Sequence, residues 1–320
     1  MAKKRSRKFD LPAYLAVRAL LCVIETMPMS WGHRIARLLA RLLFRLDRRF
    51  RAVARENLGH AFPEWADDTA KLDDLILRTY DHFLRMMVDI ARYRRRVRLY
   101  KRRHVEPGST ADGFMAPEVG NRRLLAEALT CGRPVMVVGG HFGNWEFAVV
   151  NLGLFGVRAH AIARELDNPY LERFFKAWRE QNGGTIHSKH GDFDGITDAL
   201  AENGVLCTMA DQDAGRKGLF VEFFNRPAST HKAIALMAME SNAVIVVGGA
   251  PRVAEPDVYR LEIVDMIRTE DYADRPDAIR EITQRFTTAL EGLIRRYPEQ
   301  YLWLHRRWKS QPKVSKRRAA

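Results

Sequence analysis

The sequence predicts an α/β protein with a mainly parallel central sheet flanked by helices. From residue 122 onward, short apolar runs alternate with longer helical segments, and the connections between them are short. This alternation is typical of a parallel sheet that helices cover on both faces. The run at 134–138 is apolar throughout, which indicates a buried strand. A chain of 320 residues is long enough to bury this core as one large domain with an N-terminal extension.

The helices and strands of this part are expected at short intervals along the chain. The helices are predicted at 122–130, 145–154, 168–182, 193–202, 230–241 and 275–297. The strands are predicted at 134–139, 157–163, 184–187, 204–209, 243–249 and 258–267, with a further extended segment at 220–224. In such sheets the functional groups lie outside the carboxyl ends of the strands. His141, Arg164 and Asp211 each follow a strand end, so we expect them to converge on one site.

The chain is expected to have three parts. Residues 1–50 are predicted to associate with a membrane, residues 51–310 to form the α/β domain, and residues 311–320 to be a basic, disordered tail. The segment 51–105 is predicted to be helical and to close in a basic run from Arg92 to Arg103. One interpretation of this run is a solvated loop that attracts phosphates without specificity. The other is a functional surface that faces lipid headgroups or an acidic partner protein.

The charge of the chain indicates an anionic partner. There are 53 basic and 39 acidic residues, and the formal net charge is +14. Nucleic acid, anionic lipid and an acidic carrier protein all fit such a balance. The chain has three cysteines that lie far apart and have no zinc-binding spacing: Cys22, Cys131 and Cys207. We therefore expect no disulfide framework, and we expect the protein to reside in a reducing compartment.

The N-terminus has the features of a membrane-targeting segment. Arg18 and Glu25 interrupt the mostly apolar stretch at 11–29, which follows a cluster of basic residues: Lys3, Lys4, Arg5, Arg7 and Lys8. An uninterrupted apolar core, as in a secretory signal, is therefore missing. A charge at the bilayer centre costs about 2.5–3.5 kcal/mol, which disfavours a spanning helix. We expect the segment to lie at, or partly enter, the cytoplasmic face of the membrane, and a single N-terminal span remains the alternative.

The next helix combines a basic stripe with an apolar one. The basic stripe consists of Arg34, Arg37, Arg41, Arg45 and Arg48. The opposite side carries Ile35, Leu38, Leu39, Leu42, Leu43 and Leu46. This pattern predicts an interfacial helix whose arginines reach lipid phosphates while its leucines enter the acyl boundary. The alternative is a helix that packs its leucines into the core and exposes a solvated basic face.

The most informative motif is at 139–146 and reads Gly-Gly-His-Phe-Gly-Asn-Trp-Glu. It places His141 just after a predicted strand and Glu146 on the first turn of the next helix. An imidazole can remove a proton near neutral pH, and a carboxylate can fix its tautomer and stabilise the imidazolium. The motif therefore predicts a general base, His141, that Glu146 orients. A structural histidine beside an unrelated helix-start glutamate is the alternative.

The same stretch resembles the signature block of the bacterial lipid A biosynthesis acyltransferases, within the glycerolipid acyltransferase group that shares H-x4-D/E. Further resembling blocks lie at 57–64, 163–169, 210–215, 223–230 and 298–309, so the resemblance covers most of the chain. One departure is Asn225, which stands where the family usually has glycine. The local turn could then differ, but asparagine tolerates a left-handed backbone better than most residues, so the replacement is compatible with such a turn.

The resemblance implies roles for several other residues. Arg164 is expected to bind a phosphate or to stabilise the oxyanion. Asp211 and Asp213 are expected to position hydroxyl groups of the acceptor, since the family implies no metal, although two close carboxylates could also hold Mg²⁺. Arg216 and Lys217 can meet a phosphate of the acceptor. Three residues complete the expected substrate-binding set: Asn144, Asn168 and Arg306.

The reaction implied by the resemblance is O-acyl transfer without a covalent enzyme intermediate and without a cofactor. The donor would be an acyl thioester of acyl carrier protein, with coenzyme A as the alternative. The acceptor would be a hydroxyl of a phosphorylated glycolipid, the lipid A precursor. An enzyme that acylates a phospholipid, an ornithine lipid or a glycosylated inositol lipid would carry the same motif, so these acceptors remain alternatives. The expected location is the cytoplasmic face of the bacterial inner membrane. A basic nucleic-acid-binding protein is a remote alternative, and no recognised nucleic-acid motif supports it.

Overall fold

The computed structural model describes residues 7–102, 121–152, 156–189, 191–255 and 258–312. The α-helices are α1 (Asp10–Thr26), α2 (Met29–Leu46), α3 (Arg48–Ala61), α4 (Thr69–Arg102), α5 (Arg122–Thr130), α6 (Trp145–Leu152), α7 (Pro169–Arg179), α8 (Phe193–Ala201), α9 (Ala233–Glu240) and α10 (Ala278–Arg296). The strands are β1 (Val135–Gly139), β2 (Ala159–Ala163), β3 (Thr185–Ser188), β4 (Val205–Met209), β5 (Leu219–Phe223), β6 (Arg226–Thr230), β7 (Val244–Gly249), β8 (Arg252–Ala254), β9 (Val258–Tyr259) and β10 (Glu262–Arg268).

The main sheet has six strands in the order β10-β7-β1-β4-β2-β3. The five strands from β7 to β3 run parallel to their neighbours, and β10 is antiparallel to β7 at one edge. The predicted α/β class with a mainly parallel sheet is therefore confirmed. Strand β1 lies inside the sheet between β7 and β4, so the stretch that follows it emerges at the middle of the carboxyl edge.

Alternate residues of β1 enter two separate cores. Met136 and Val138 belong to a cluster that includes residues of α9, α10 and α3. Val135 belongs to a second cluster on the other face, together with residues of α5 and α6. Since both faces are covered, both sets of side chains must be apolar, and this explains the continuous apolar run at 134–138.

The C-terminal half shows three differences from the predicted elements, the first being strand β8, which was not predicted. The predicted strand 258–267 is two strands, because β9 pairs with β8 and β10 pairs with β7. Strand β6 was not predicted. It pairs with β5 in a hairpin whose turn residues, Phe224 and Asn225, have φ angles of 52° and 54°. Two left-handed residues make the tight turn that hairpins favour, and the expected conformation of Asn225 is thus confirmed. Because residues 226–230 are in a strand, α9 begins at Ala233.

The helical prediction for 51–105 is confirmed in the described residues, but the predicted basic loop is wrong. Helix α4 continues through this run to Arg102, and Arg103 lies outside the described residues. The run contains neither glycine nor proline and is rich in arginine, which is a good helix former. Most residues of the predicted C-terminal tail and the first basic residues of the chain also lie outside the described ranges.

Helix α2 packs on α4 through small residues and leaves its large side chains outside. Its buried residues include Gly32, Ala36 and Ala40. The exposed ones include all the leucines of the predicted apolar stripe, with Leu38 being 62% exposed. The predicted arginine stripe is exposed as well. The alternative in which the leucines enter the protein core is therefore wrong. Among the described helices, none combines the length and the apolarity that a bilayer crossing requires.

Candidate active site

The loop between β1 and α6 makes two close backbone approaches that require glycine. A Cβ atom on Gly140 would lie 3.0 Å from Leu290 and 3.2 Å from the carboxyl carbon of Asp211. Gly143 has a φ of 58°, and a Cβ atom there would lie 2.2 Å from the carbonyl oxygen of Ala250. The two glycines therefore allow the loop to turn sharply against its neighbours, with His141 between them.

The register of the sheet brings His141 to Asp211. Strands β1 and β4 are parallel neighbours, and their last residues, Gly139 and Met209, are paired. Each of the two side chains follows two residues later. The Nδ1 atom of His141 lies 2.8 Å from one carboxylate oxygen of Asp211, and the backbone N–H of His141 donates to the other at 2.8 Å. One carboxylate thus holds both the ring and the backbone of the histidine.

The surroundings shift the pKa values of His141 and Asp211 in opposite directions. Burial by itself would lower the pKa of His141, but the charge and hydrogen bond of Asp211, together with the charge of Glu146, raise the pKa above its ordinary value. Burial would likewise raise the pKa of Asp211, yet His141 and His305 hold it well below its usual range. The Asp211 side chain is fully buried, whereas 19% of the His141 side chain is exposed. The ring can therefore be reached by a substrate while its partner cannot.

The geometry corrects the predicted partner of the histidine. Glu146 does not hydrogen-bond to His141; it makes a bidentate ion pair with Arg179 of α7, with N···O distances of 2.9 and 2.7 Å. Its charge still acts on His141 through space. The residue predicted to position acceptor hydroxyls, Asp211, occupies the orienting position instead. A sequence reading could not separate these roles, because Asp211 lies 70 residues away and reaches the ring only through strand register.

A C-terminal segment, residues 300–310, closes the loop from outside; we call it the C-terminal strap. The carbonyl of Gln300 accepts from Gly143 N–H at 2.9 Å, and the carbonyl of His141 accepts from Leu302 N–H at 3.0 Å. The Nε2 atom of His305 lies 3.0 Å from the carbonyl oxygen of Asp211. The strap thus contacts both halves of the pair, which the sequence did not predict.

Helix α4 adds a buried histidine beneath the loop. The Nε2 atom of His82 lies 3.2 Å from the carbonyl oxygen of Gly143. Burial, followed by the charge of Arg252, lowers the pKa of His82 to about 3, so the ring is neutral and its Nε2–H donates to the carbonyl. His82 was missed in the sequence because nothing near it resembles a catalytic motif.

Three residues of the expected substrate-binding set have structural contacts. Asn144 is fully buried and accepts from Phe147 N–H at the start of α6. Asn168 caps α7, accepting from two backbone N–H groups, and donates to the carbonyl of Asp10 at 2.8 Å. Asp213 accepts from Gly215 and from the backbone and hydroxyl of Ser310, which ties it to the strap.

The expected cationic residues lie at the surface. Arg164 follows β2 at the same edge of the sheet and pairs with Asp167 at 3.1 Å. Arg216, Lys217 and Arg306 are exposed. Among the contacts of the described residues, none joins these four to the His141–Asp211 pair. It is the neighbouring Arg307 that is buried, donating to the Ser229 carbonyl and the Thr230 hydroxyl at 2.6 Å each.

An apolar cavity opens beside His141. It is narrow, with a cavity volume of about 30 Å³, and lies between the sheet and the α5 and α6 helices. Gly139, Gly140 and Trp145 line it near the histidine, and the Trp145 ring centroid is 5.2 Å from that of His141. Val137 and Cys207, paired across β1 and β4, line it further along the strands. Among the described residues, no three His, Cys, Asp or Glu side chains are grouped so that they could hold a metal ion.

The fold and the site define an α/β protein with a histidine–carboxylate pair at the carboxyl edge of its sheet and an apolar cavity next to it. The chain belongs to the bacterial lipid A biosynthesis acyltransferase family, whose model matches residues 2–310.

Individual relatives are similar over differing lengths. A lipid A biosynthesis palmitoleoyltransferase of Escherichia coli is 31% identical over 195 residues, which are 59% of this chain and 60% of that protein. A lipid A biosynthesis acyltransferase of Haemophilus influenzae is 25% identical over 92% of this chain and 88% of its own length. A phosphatidylinositol mannoside acyltransferase of Mycobacterium tuberculosis is 29% identical over 42% of this chain and 48% of its own length. The match to the Escherichia coli protein thus spans about three-fifths of that relative.

The two carboxylates should act on His141 to different degrees. Asp211→Asn should lower the pKa of His141, because the ring loses both a negative charge and a charge-assisted hydrogen bond. Glu146→Gln should lower it less, because Glu146 acts through space and is itself paired with Arg179. NMR titration of the His141 ring measures both changes. His60→Gln, an exposed change on α3, is the control. A larger decrease in the Glu146 variant than in the Asp211 variant would contradict this assignment.

Proposed function

We propose that this protein is an O-acyltransferase that moves a fatty acyl chain from a thioester to a hydroxyl group of a glycolipid of the lipid A precursor class. The observation that carries the proposal is the partly exposed His141 ring, held by the buried Asp211 and lying next to an apolar cavity. Such a combination suits a substrate that has a reacting polar group on a long apolar chain. Membership of the family supports the same reaction.

The tautomer of His141 determines its role in this mechanism. Because Asp211 is an ionised acceptor, the Nδ1 atom of His141 carries the proton, and the lone pair is left on Nε2. Nε2 removes the proton of the acceptor hydroxyl while the oxygen attacks the thioester carbonyl. The C–S bond then breaks, the thiolate leaves, and the proton on Nε2 is available to it. Asp211 stabilises the imidazolium that exists between the two steps.

Direct transfer to the acceptor fits the cysteine in the cavity. Cys207 is the one cysteine among the cavity-lining residues, and burial raises the pKa of its thiol to about 12. A thiol with so high a pKa is a poor nucleophile at neutral pH. We therefore assign no acyl-cysteine intermediate, and Cys207 serves as part of an apolar wall.

The cavity is proposed to hold the acyl chain of the donor. Its lining includes Gly140 and Phe142, the neighbours of His141, and continues along β1 and β4. A chain whose thioester carbon lies at the histidine would extend between the sheet and α5, and the walls of the narrow cavity would move apart to admit it. Residues two positions apart on one strand are about 6.6 Å apart, so Val137 and Cys207 would meet carbons well down the chain. Their size would then affect which chain lengths fit.

The surface charge suits two anionic substrates. Four cationic side chains are exposed and can bind phosphate groups of an acceptor that approaches the surface: Arg164, Arg216, Lys217 and Arg306. Acyl carrier protein is the donor carrier we favour, because an acidic protein is attracted to a surface of net positive charge. Acyl coenzyme A, which also carries phosphates, is the alternative donor.

Helix α2 is proposed to rest on the cytoplasmic face of the bacterial inner membrane. Its small residues face α4, so its exposed leucines and arginines form two flanks directed away from the protein. A helix with these flanks can insert leucines at the acyl boundary and place arginines at the phosphates. Exposed Leu15, Leu20 and Val23 of α1 would extend the apolar contact.

A glycosylated inositol lipid is a second candidate acceptor. The similarity to the mycobacterial phosphatidylinositol mannoside acyltransferase supports it. The histidine–aspartate pair would act in the same way on a sugar hydroxyl. Side-by-side assays with a phosphorylated glucosamine-based acceptor and a mannosylated phosphatidylinositol distinguish the two, and preference for the second would overturn the lipid A assignment while leaving acyl transfer intact.

Removal of the base should abolish transfer. His141→Ala should lower the rate by about 10²–10⁴-fold, the usual contribution of a general base. The measurement is acyl transfer from an acyl carrier protein thioester to a phosphorylated lipid A precursor in detergent. His60→Ala on the surface is the matched control. Full activity of the His141 variant would refute the mechanism.

Narrowing the cavity should change chain-length preference. Cys207→Phe should reduce transfer of long acyl chains and spare short ones, because the added ring would occupy the far part of the cavity. A series of donors of increasing chain length measures the effect. The same change at exposed Cys131 is the control. An equal loss for all lengths would argue against this location of the chain.

The exposed leucines should contribute to membrane binding. A variant with both Leu38→Ser and Leu42→Ser should bind anionic phospholipid vesicles roughly tenfold more weakly or worse, because each buried leucine contributes about 1.5–3 kcal/mol. Vesicle sedimentation measures the partition. Leu129→Ser, at an exposed leucine of α5, is the comparison. Unchanged partition of the double variant would remove α2 from the membrane contact.

A further inference from the structure

His305 of the C-terminal strap stands between two carbonyl oxygens. Its Nε2 atom is 3.0 Å from the carbonyl oxygen of Asp211, and its Nδ1 atom is hydrogen-bonded to the carbonyl oxygen of Leu302. The strap cannot easily move away, because the side-chain amide of Asn57 donates to the carbonyls of Trp303 at 2.7 Å and of His305 at 2.9 Å. Both ring nitrogens are therefore held against acceptors.

Only one protonation state of the ring satisfies both contacts. A carbonyl oxygen accepts hydrogen bonds and cannot donate them, so each ring nitrogen must carry a proton. A neutral imidazole has one N–H and would place a lone pair against one of the two oxygens. The Tyr301 hydroxyl lies 3.5 Å from Nε2, too far to replace the closer Asp211 carbonyl as the partner of that atom.

The charges around this ring are those of the active site. Asp211 is ionised, and His141 lies with its ring centroid 6.4 Å from that of His305. Burial, followed by the charge of Asp211, raises the pKa of Tyr301 well above its ordinary value, so Tyr301 is neutral. Arg307 is the buried cation of the strap and feels the charge of Asp211.

On the other side of His141 the charges come from α6 and α7. Glu146 adds a negative charge that acts on His141, and Arg179 is paired with it. Asp211, which acts on His141 through both its charge and a hydrogen bond, is nevertheless the main anion next to both rings.

We propose that His305 is a positioning residue whose doubly protonated ring ties the strap to Asp211 and keeps a positive charge beside the His141–Asp211 pair. The ring fixes the backbone of Asp211, whose side chain fixes the tautomer of His141. Its charge also opposes protonation of His141, which Asp211 favours, so the base remains free at a lower pH than Asp211 alone would allow. This second effect rests on the proposed function of His141 as a base.

The protonation state can be tested without an activity assay. In the full-length protein labelled with ¹⁵N-histidine, the His305 ring should show two protonated nitrogens at neutral pH. His305→Gln identifies the signal by its disappearance. A ring with one protonated nitrogen would overturn the proposal, whatever the protein catalyses.

The effect on the base is measured by the pH dependence of kcat/KM for acyl transfer. In His305→Gln the acid limb should move to higher pH, because removal of a positive charge lets His141 hold its proton at higher pH. His60→Gln makes the same chemical change on the surface and should leave the limb in place. A uniform loss of rate with an unmoved limb, or a limb that moves to lower pH, would show that His305 has a merely structural role. Absence of acyl transfer in the wild type would instead refute the proposed function, and the ring signals would still decide the protonation of His305.

Discussion

The candidate active site depends on the parallel pairing of β1 with β4. These strands are paired to their last residues, and the functional side chain of each stands on the second residue after the strand. The backbone hydrogen bonds of the sheet therefore set the distance between His141 and Asp211 before any side-chain contact is made. The pair adds a short hydrogen bond to the ring and another to the histidine N–H. A slip of one residue in either strand would turn the side chains of that strand to the opposite face and separate His141 from Asp211, so the register of the sheet determines which residues meet.

The sequence predicts the sheet well because its strands are short, apolar and regularly spaced. It predicts His141 for a different reason, since the glycines around it indicate a turn that few structural histidines need. The predicted partner of His141, Glu146, was wrong because H-x4-E spacing suggests a local contact. The residue that hydrogen-bonds to the ring, Asp211, follows another strand. Glu146 is close to His141 in the sequence, but α6 directs the side chain of Glu146 toward Arg179. Local patterns can indicate which residues are reactive, and only tertiary register shows which of them meet.

The sequence also did not predict a buried polar cluster around Asp89. Asp89 of α4 accepts from Arg252 and Tyr259 and contacts the ring of His33 on α2, all within 3.0 Å. Although burial alone would raise it, the pKa of Asp89 is lowered by His33, Arg252 and Tyr259. Loss of one partner in such a buried set typically costs about 3–5 kcal/mol. Nothing in the spacing of these residues indicates that they meet, because they come from three distant segments.

This cluster continues to the active-site loop through the strap. The backbone N–H of Arg252 donates to the side chain of Gln300 at 2.7 Å, and the carbonyl of Gln300 accepts from Gly143. The helix that carries the exposed leucines is thus hydrogen-bonded, through α4 and the strap, to the loop that carries His141. Such a scaffold fixes the orientation of the cavity opening relative to α2. If α2 lies on a membrane, as proposed, the opening is held at a constant angle to the lipid surface, and a substrate embedded in that surface would reach the proposed base, His141, by lateral diffusion.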